Sequence, residues 1–174
     1  MEPASQTVLS SADPSSFKNG IRRLASGVTV VTTEYGGQRH GLVITGLSSV
    51  STDPPTLMIC INKAASSHDA IAASSRFCVN VLRSGDSDLA MRFSSPKRRA
   101  ERFEGRAWEP MSTGAPALVG CLVSFDCRVT RALDAETHTV FFANVVDIRV
   151  WGDARDPLLY WDGAFRSPAL QHAT

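Results

Sequence analysis

Asp53-Pro54-Pro55 divides the most informative stretch of the chain, Gly41 to His68 (GLVITGLSSVSTDPPTLMICINKAASSH). Proline has no N–H and restricts the residue before it, so neither a helix nor an unbroken ladder can cross this point. On the N-terminal side, Thr45 to Thr52 (TGLSSVST) is dense in hydroxyls yet sits between strand-like runs. On the C-terminal side, Thr56 to Ile61 (TLMICI) reads as a buried strand that ends in Asn62-Lys63. Ala64 to Asp69 then opens a helix, with Ser66 and Asp69 spaced as a capping pair. Unpaired N–H groups and the helix dipole favour negative charge, so Lys63 beside this N-terminus suits an anion. The hydroxyl row and its amides suit a polar, planar ligand that carries a phosphate. The alternative is a hairpin with a polar solvent face and an ordinary helix cap.

The flanking sequence supplies mostly strands. Ser15 or Ser16 can cap a helix over Phe17 to Ala25, with Phe17, Ile21 and Leu24 in one apolar stripe. Gly27 to Glu34 (GVTVVTTE) is a β-branched strand, and a glycine turn after Tyr35 makes it a hairpin with the strand from Arg39. Arg76 to Leu82 is another strand, followed by a short helix over Asp88 to Phe93. Ser94 to Gly105 gathers Lys97, Arg98, Arg99 and Arg102, which form either a solvated face or a clamp on a phosphate. After a loop from Trp108 to Pro116, Ala117 to Leu133 is a long strand. Ser124, Asp126, Arg128 and Thr130 alternate there with Val123, Phe125, Cys127 and Val129, which predicts one wet and one buried face. Thr137 to Val150 returns beside it. A turn over Asp153 to Pro157 leads to a short strand pair, Leu158 to Trp161 and Ala164 to Arg166.

Six to eight strands joined mainly by short turns predict antiparallel pairing. They do not alternate with long helices, and no G-x-G-x-x-G follows a strand. The predicted fold is mainly β: an antiparallel Greek-key barrel with inserted helices, its closure removing exposed edges. One hundred and seventy-four residues make one domain, here 16–170, after a polar segment 1–15 expected to be disordered. A net charge of +1 gives no reason to expect nucleic acid or an anionic membrane as a partner. No apolar run reaches the roughly 20 residues of a membrane-spanning helix. The N-terminus has neither the basic nor the apolar region of a signal peptide. Cys60, Cys78, Cys121 and Cys127 form no C-x-x-C pair and no zinc spacing, so no metal site is expected. They read as reduced thiols in a cytoplasmic protein.

Five stretches, in this order and spacing, resemble the flavin reductase family with the FMN-binding split-barrel fold. They are Leu24 to Thr33 (LASGVTVVTT), Gly41 to Asn62 with its S-V-S-x-D-P-P core, Arg76 to Leu82 (RFCVNVL), Val123 to Cys127 (VSFDC) and Thr137 to Val145 (THTVFFANV). The resemblance is greatest to the reductase components of two-component flavin-dependent monooxygenases. It implies a homodimer that binds FMN or FAD near the dimer interface, takes hydride from NADH or NADPH, and passes reduced flavin to a partner monooxygenase. It implies that Thr45, Gly46, Leu47, Ser48, Ser49 and Ser51 line the isoalloxazine and ribityl chain. Asn62, Lys63, Ser66 and Ser67 would hold ribityl hydroxyls and phosphate, and His138 would stand near flavin and nicotinamide as the catalytic residue. Two other readings share the fold: a flavin- or haem-binding electron carrier or sensor, and a pyridoxamine-phosphate-oxidase-like enzyme.

Overall fold

The structure is a computed structural model, and it describes residues 11–152 and 156–168. In chain order its elements are α1 (Pro14–Ile21), β1 (Ser26–Gly27), β2 (Thr29–Tyr35), β3 (Gln38–Ile44), β4 (Leu47–Thr52) and β5 (Pro55–Asn62). There follow α2 (His68–Ser74), β6 (Arg76–Val81), α3 (Ser87–Ser94) and a 3₁₀ segment, Pro96–Glu101. The chain continues with β7 (Trp108–Pro110), β8 (Pro116–Leu118), β9 (Val123–Ala135), β10 (His138–Val150), β11 (Leu159–Trp161) and β12 (Ala164–Arg166).

One seven-stranded sheet dominates, in the order β3-β2-β6-β9-β10-β5-β4, and all its pairings are antiparallel. Gly36 and Gly37 turn β2 into β3 with φ of +62° and +72°, the two positive values that a tight hairpin turn needs. Pro54 and Pro55 sit where the β4–β5 hairpin turns, as proline's missing N–H requires. The expected barrel therefore forms, but closure does not remove its edges. No ladder joins β3 to β4 among the described residues, and the opening between them is the split.

Apolar side chains fill both sides of β2. Val31 packs with Ile59, Ile61, Phe77 and Phe141 inside the barrel. Val28, just ahead of β2, and Val30 pack on its other face with Leu82, Phe93 and Leu158. At roughly 1.5–3 kcal/mol for each fully buried large side chain, these two clusters dominate the stability of the fold.

Several local expectations are corrected. Helix α1 begins at Pro14, capped by Asp13 Oδ2, which accepts from Ser16 N at 2.9 Å, and it ends at Ile21 rather than Ala25. Its stripe is not buried: Phe17, Ile21 and Leu24 are all exposed. The segment expected to be disordered falls mainly on residues 1–10, outside the described residues, and Pro14 and Ser15 already belong to α1. The run from Ala117 to Leu133 is two strands, broken by a turn in which Gly120 has φ +78°. Residues 153–155 of the expected Asp153 to Pro157 turn lie outside the described residues.

The predicted wet face of β9 is dry over its first half, because residues 110–118 fold across it. Asp126 accepts from Thr113 N at 2.7 Å and from Thr113 Oγ1 at 2.6 Å, and Ser124 Oγ donates to Asn80 Oδ1 at 2.9 Å. Asn80 also accepts from Leu118 N and donates to Val30 O, so this buried polar layer is internally satisfied. Cys78, Cys121 and Cys127 are buried free thiols, whereas Cys60 is only half-buried on the outward side of β5.

Candidate active site

The split opens into a cleft of about 650 Å³, within the roughly 300–1,000 Å³ typical of small-molecule sites. One wall is the end of β3, Leu42 to Ile44, and it continues through Thr45 and Gly46, which lie between the ladders of β3 and β4. The facing wall is the end of β5 with the tight turn after it. Asn62 Oδ1 accepts from Ala64 N at 2.8 Å, and Asn62 O accepts from Ala65 N at 2.9 Å. Phe93 of α3 and Pro96 close one end, and His138 at the start of β10 stands at the rim. Its Nδ1 lies 2.8 Å from Thr137 Oγ1, which orients the ring.

Thr45, Gly46, Asn62, Ser66 and His138 thus meet around one cleft. The other candidates lie elsewhere. Leu47 packs against the barrel core, while Ser48, Ser49 and Ser51 are exposed along β4. Ser67 is buried, and its hydroxyl donates to Gly41 O at 2.9 Å. Lys63 does not line the cleft: its Nζ is 2.6 Å from Asp134 Oδ2, and that pairing holds the Asp134 carboxyl below its ordinary range. The Ser66–Asp69 capping pair does not form either. Helix α2 starts one residue later, with Ser67 at the N-cap position and no side-chain cap bond.

The cation that does line the cleft is Arg102. It is 6% exposed, and among the described residues no carboxylate pairs with it. Arg102 Nη1 donates to Gly41 O at 2.8 Å and reaches Ser66 Oγ at 3.4 Å, and its guanidinium lies 5.9 Å from the Phe93 ring centre. Burial first, and then the charge of Arg99, push its pKa down from the ordinary guanidinium value. A buried unpaired cation costs several kcal/mol unless an anion answers it. Gly41 makes the contact possible: a Cβ there would sit 2.6 Å from Phe93 Cε1 and 3.0 Å from Val31 O.

The rest of the basic cluster is divided between two uses. Arg98 is committed to Asp88 at 2.9 Å and Glu101 at 2.7 Å, while Lys97 and Arg99 are exposed. The sequence did offer a phosphate clamp in this cluster, but nothing in its composition separates the one inward arginine from the outward ones. An apolar wall, backbone amides outside the ladders, hydroxyls and an unanswered buried guanidinium together fit a flavin carrying a phosphate.

A family model described as flavin reductase like domain matches residues 21–169. The chain belongs to the flavin reductase-like family. It is 36% identical to an FMN reductase (NADH), RutF 2, of Rhizobium rhizogenes, over 96% of this chain and 99% of that one. Among solved structures, a homologue of nitrilotriacetate monooxygenase component B from Mycobacterium thermoresistibile is 30% identical. It covers 91% of this chain and 92% of its own, with a TM-score of 0.83. An NADH:FAD oxidoreductase of Streptomyces globisporus, solved with NAD and FAD fragments, is 26% identical. That structure covers 95% of this chain and 100% of its own, with a TM-score of 0.84.

In this flavin reductase-like chain the Arg102 contact and the Lys63 ion pair are expected to separate in mutants. Lys63→Ala is expected to change the flavin Kd, read by quenching of flavin fluorescence, by less than about twofold, because Lys63 is held by the exposed Asp134 and does not line the cleft. Gly41→Ala costs about 1–3 kcal/mol in chemical denaturation, because its methyl overpacks Phe93, and it weakens flavin binding by displacing the carbonyl that seats Arg102.

Proposed function

We propose that this chain is an NADH:flavin oxidoreductase that hands reduced flavin to a separate oxygenase. The observation that carries the reading is the buried Arg102 guanidinium, without a carboxylate partner among the described residues, at the head of the cleft in the split of the barrel. When bound, the flavin accepts hydride and NADH supplies it. The chain's own residues bind, orient and shield. Arg102 and Ser66 would hold the flavin phosphate, and Asn62 would bind the ribityl chain. Leu42, Ile44 and Phe93 give a dry apolar wall. The amides of Thr45 and Gly46 would serve as donors to the negative charge that a bound flavin gains on reduction, as oxyanion-hole donors do. His138 is positioned at the rim to hydrogen-bond the reacting pair. The proposed flavin is FMN, after the relative matched along its whole length.

We further propose a homodimer. The outward row of β10, Val146, Ile148 and Val150, is exposed at 46%, 53% and 70%. Val50 of β4 is likewise exposed, and an apolar row of this kind is unusual on a free surface. A second copy covering it would bring Ser48, Ser49 and Ser51 into an interface beside the cleft. The compartment we propose is the cytoplasm, in keeping with four free thiols.

Purified protein mixed with NADH is expected to oxidise it rapidly only when free FMN is added. A protein that oxidises NADH neither with FMN nor with FAD would be no flavin reductase. Sedimentation of the wild type is expected at twice the chain mass, and Ile148→Glu is expected to shift it to the monomer. A monomeric wild type at micromolar concentration would contradict the dimer.

A further inference from the structure

Helix α2 starts without a side-chain cap bond, and the hydroxyl of its N-cap residue, Ser67, donates instead to Gly41 O on β3 at 2.9 Å. The first residue of the helix, His68, is tied in another direction. Its Nε2 lies 2.9 Å from Thr139 Oγ1 on β10, and its Nδ1 lies 2.8 Å from Asp69 Oδ1. The side chain is 14% exposed, and the ring leans on Phe141 of the barrel core with centres 5.9 Å apart. In the neutral ring the Asp69 carboxylate, which can only accept, takes Nδ1–H, so Nε2 accepts from the Thr139 hydroxyl. This bond closes a loop in the chain. Strands β5 and β10 are paired as far as Asn62 and His138, which stand opposite each other. The chain then leaves β5 in the turn that carries Ser66. Lys63 N holds the near end of that turn by donating to Thr137 O at 3.0 Å, and His68 returns the far end to Thr139, the residue after His138.

We infer that His68 is a positioning residue: through its hydrogen bond to Thr139 it fixes the turn that presents Ser66 to the flavin phosphate beside Arg102. The inference rests on the flavin site of the proposed function. His68 does not line the cleft, so it acts through Ser66 and not on the ligand. Ser66 needs such support. It is exposed, and its 3.4 Å contact with Arg102 Nη1 is the one hydrogen bond of its hydroxyl among the described residues. Packing therefore does not decide where it stands, and the ends of the turn do. Ser67 anchors the far end to β3 and His68 anchors it to β10, so the turn is held from both sides. A turn ordered before the ligand arrives spares binding the entropy of ordering it.

The test measures the Kd of FMN and of riboflavin, by quenching of flavin fluorescence, in the wild type, His68→Phe, Thr139→Val and the double variant. Phenylalanine keeps a ring against Phe141 without the nitrogens, and valine keeps the branched shape of Thr139 without its hydroxyl. Each single variant is expected to raise the FMN Kd about fivefold, the size of one lost hydrogen bond, and to change the riboflavin Kd less than about twofold. The double variant is expected to match the singles, because all three lack the same bond. His68→Gln, whose amide can still meet Thr139 Oγ1, is expected to recover most of the FMN affinity. An unchanged FMN Kd in folded Thr139→Val overturns the inference. Equal losses of FMN and riboflavin affinity, with a lowered Tm, overturn it as well, since they mark a role in the fold alone. A wild type that binds FMN no better than riboflavin overturns it together with the phosphate site. Turnover separates it from the proposed function: this binding pattern in a protein that oxidises no NADH with FMN would refute the reductase and leave the role of His68 standing.

Discussion

The hydrogen bond from Arg102 to the carbonyl of Gly41 joins three parts of the molecule that are distant in sequence. Gly41 lies on β3, the strand at one edge of the split, and the same carbonyl accepts from Ser67 at the start of α2. Arg102 follows the 3₁₀ segment after α3, and Phe93 of α3 packs in the space that only a glycine at position 41 leaves open. One backbone oxygen thus sets the distance between the edge strand, the helix that follows β5 and the segment that closes the cleft. The cost of this arrangement is a buried positive charge answered only by neutral oxygens. An anionic ligand would remove that cost, and this is the physical ground of the proposed phosphate site.

The opening between β3 and β4 serves the same end. A closed barrel of this size fills its interior with side chains. Here Ile59, Ile61, Phe77 and Phe141 pack at the centre of the interior, and the cleft lies at the seam instead. Thr45 and Gly46 cross that seam and line the cleft, with Gly46 O accepting from Cys60 N of β5 at 3.0 Å. The back of the sheet is rigid by contrast. Asn80 ties β6 to β2, to β9 and to the backbone of Leu118, so the wall behind the cleft is a satisfied polar layer.

Much of this was legible in the chain. β-branched runs, paired glycines and Asp53-Pro54-Pro55 place the hairpins, because they act through local backbone chemistry. Thr45, Gly46, Asn62, Ser66 and His138, to which the family resemblance pointed, all line the one cleft, each at the end of a strand or in the turn beside it. The failures share a different cause. Alternation along β9 reports which residues are polar, but not that Thr113 folds back to bury Asp126. Lys63 has the right charge in the right stretch, yet Asp134, 71 residues away in sequence, takes it. Arg102 sits among arginines of equal standing, and only the tertiary fold turns one inward while Asp88 and Glu101 hold another at the surface.

The most direct measurement compares binding of FMN and riboflavin to the wild type and to Arg102→Gln. Riboflavin lacks the phosphate and keeps the rest, so the ratio of the two Kd values isolates the anion site. The wild type is expected to prefer FMN by at least tenfold, in line with roughly 1.5–3 kcal/mol for a hydrogen bond to a charged group. In Arg102→Gln that preference should collapse to about twofold or less while riboflavin affinity is nearly unchanged. An FMN preference that survives the substitution intact would place the phosphate elsewhere and remove the central support of this account.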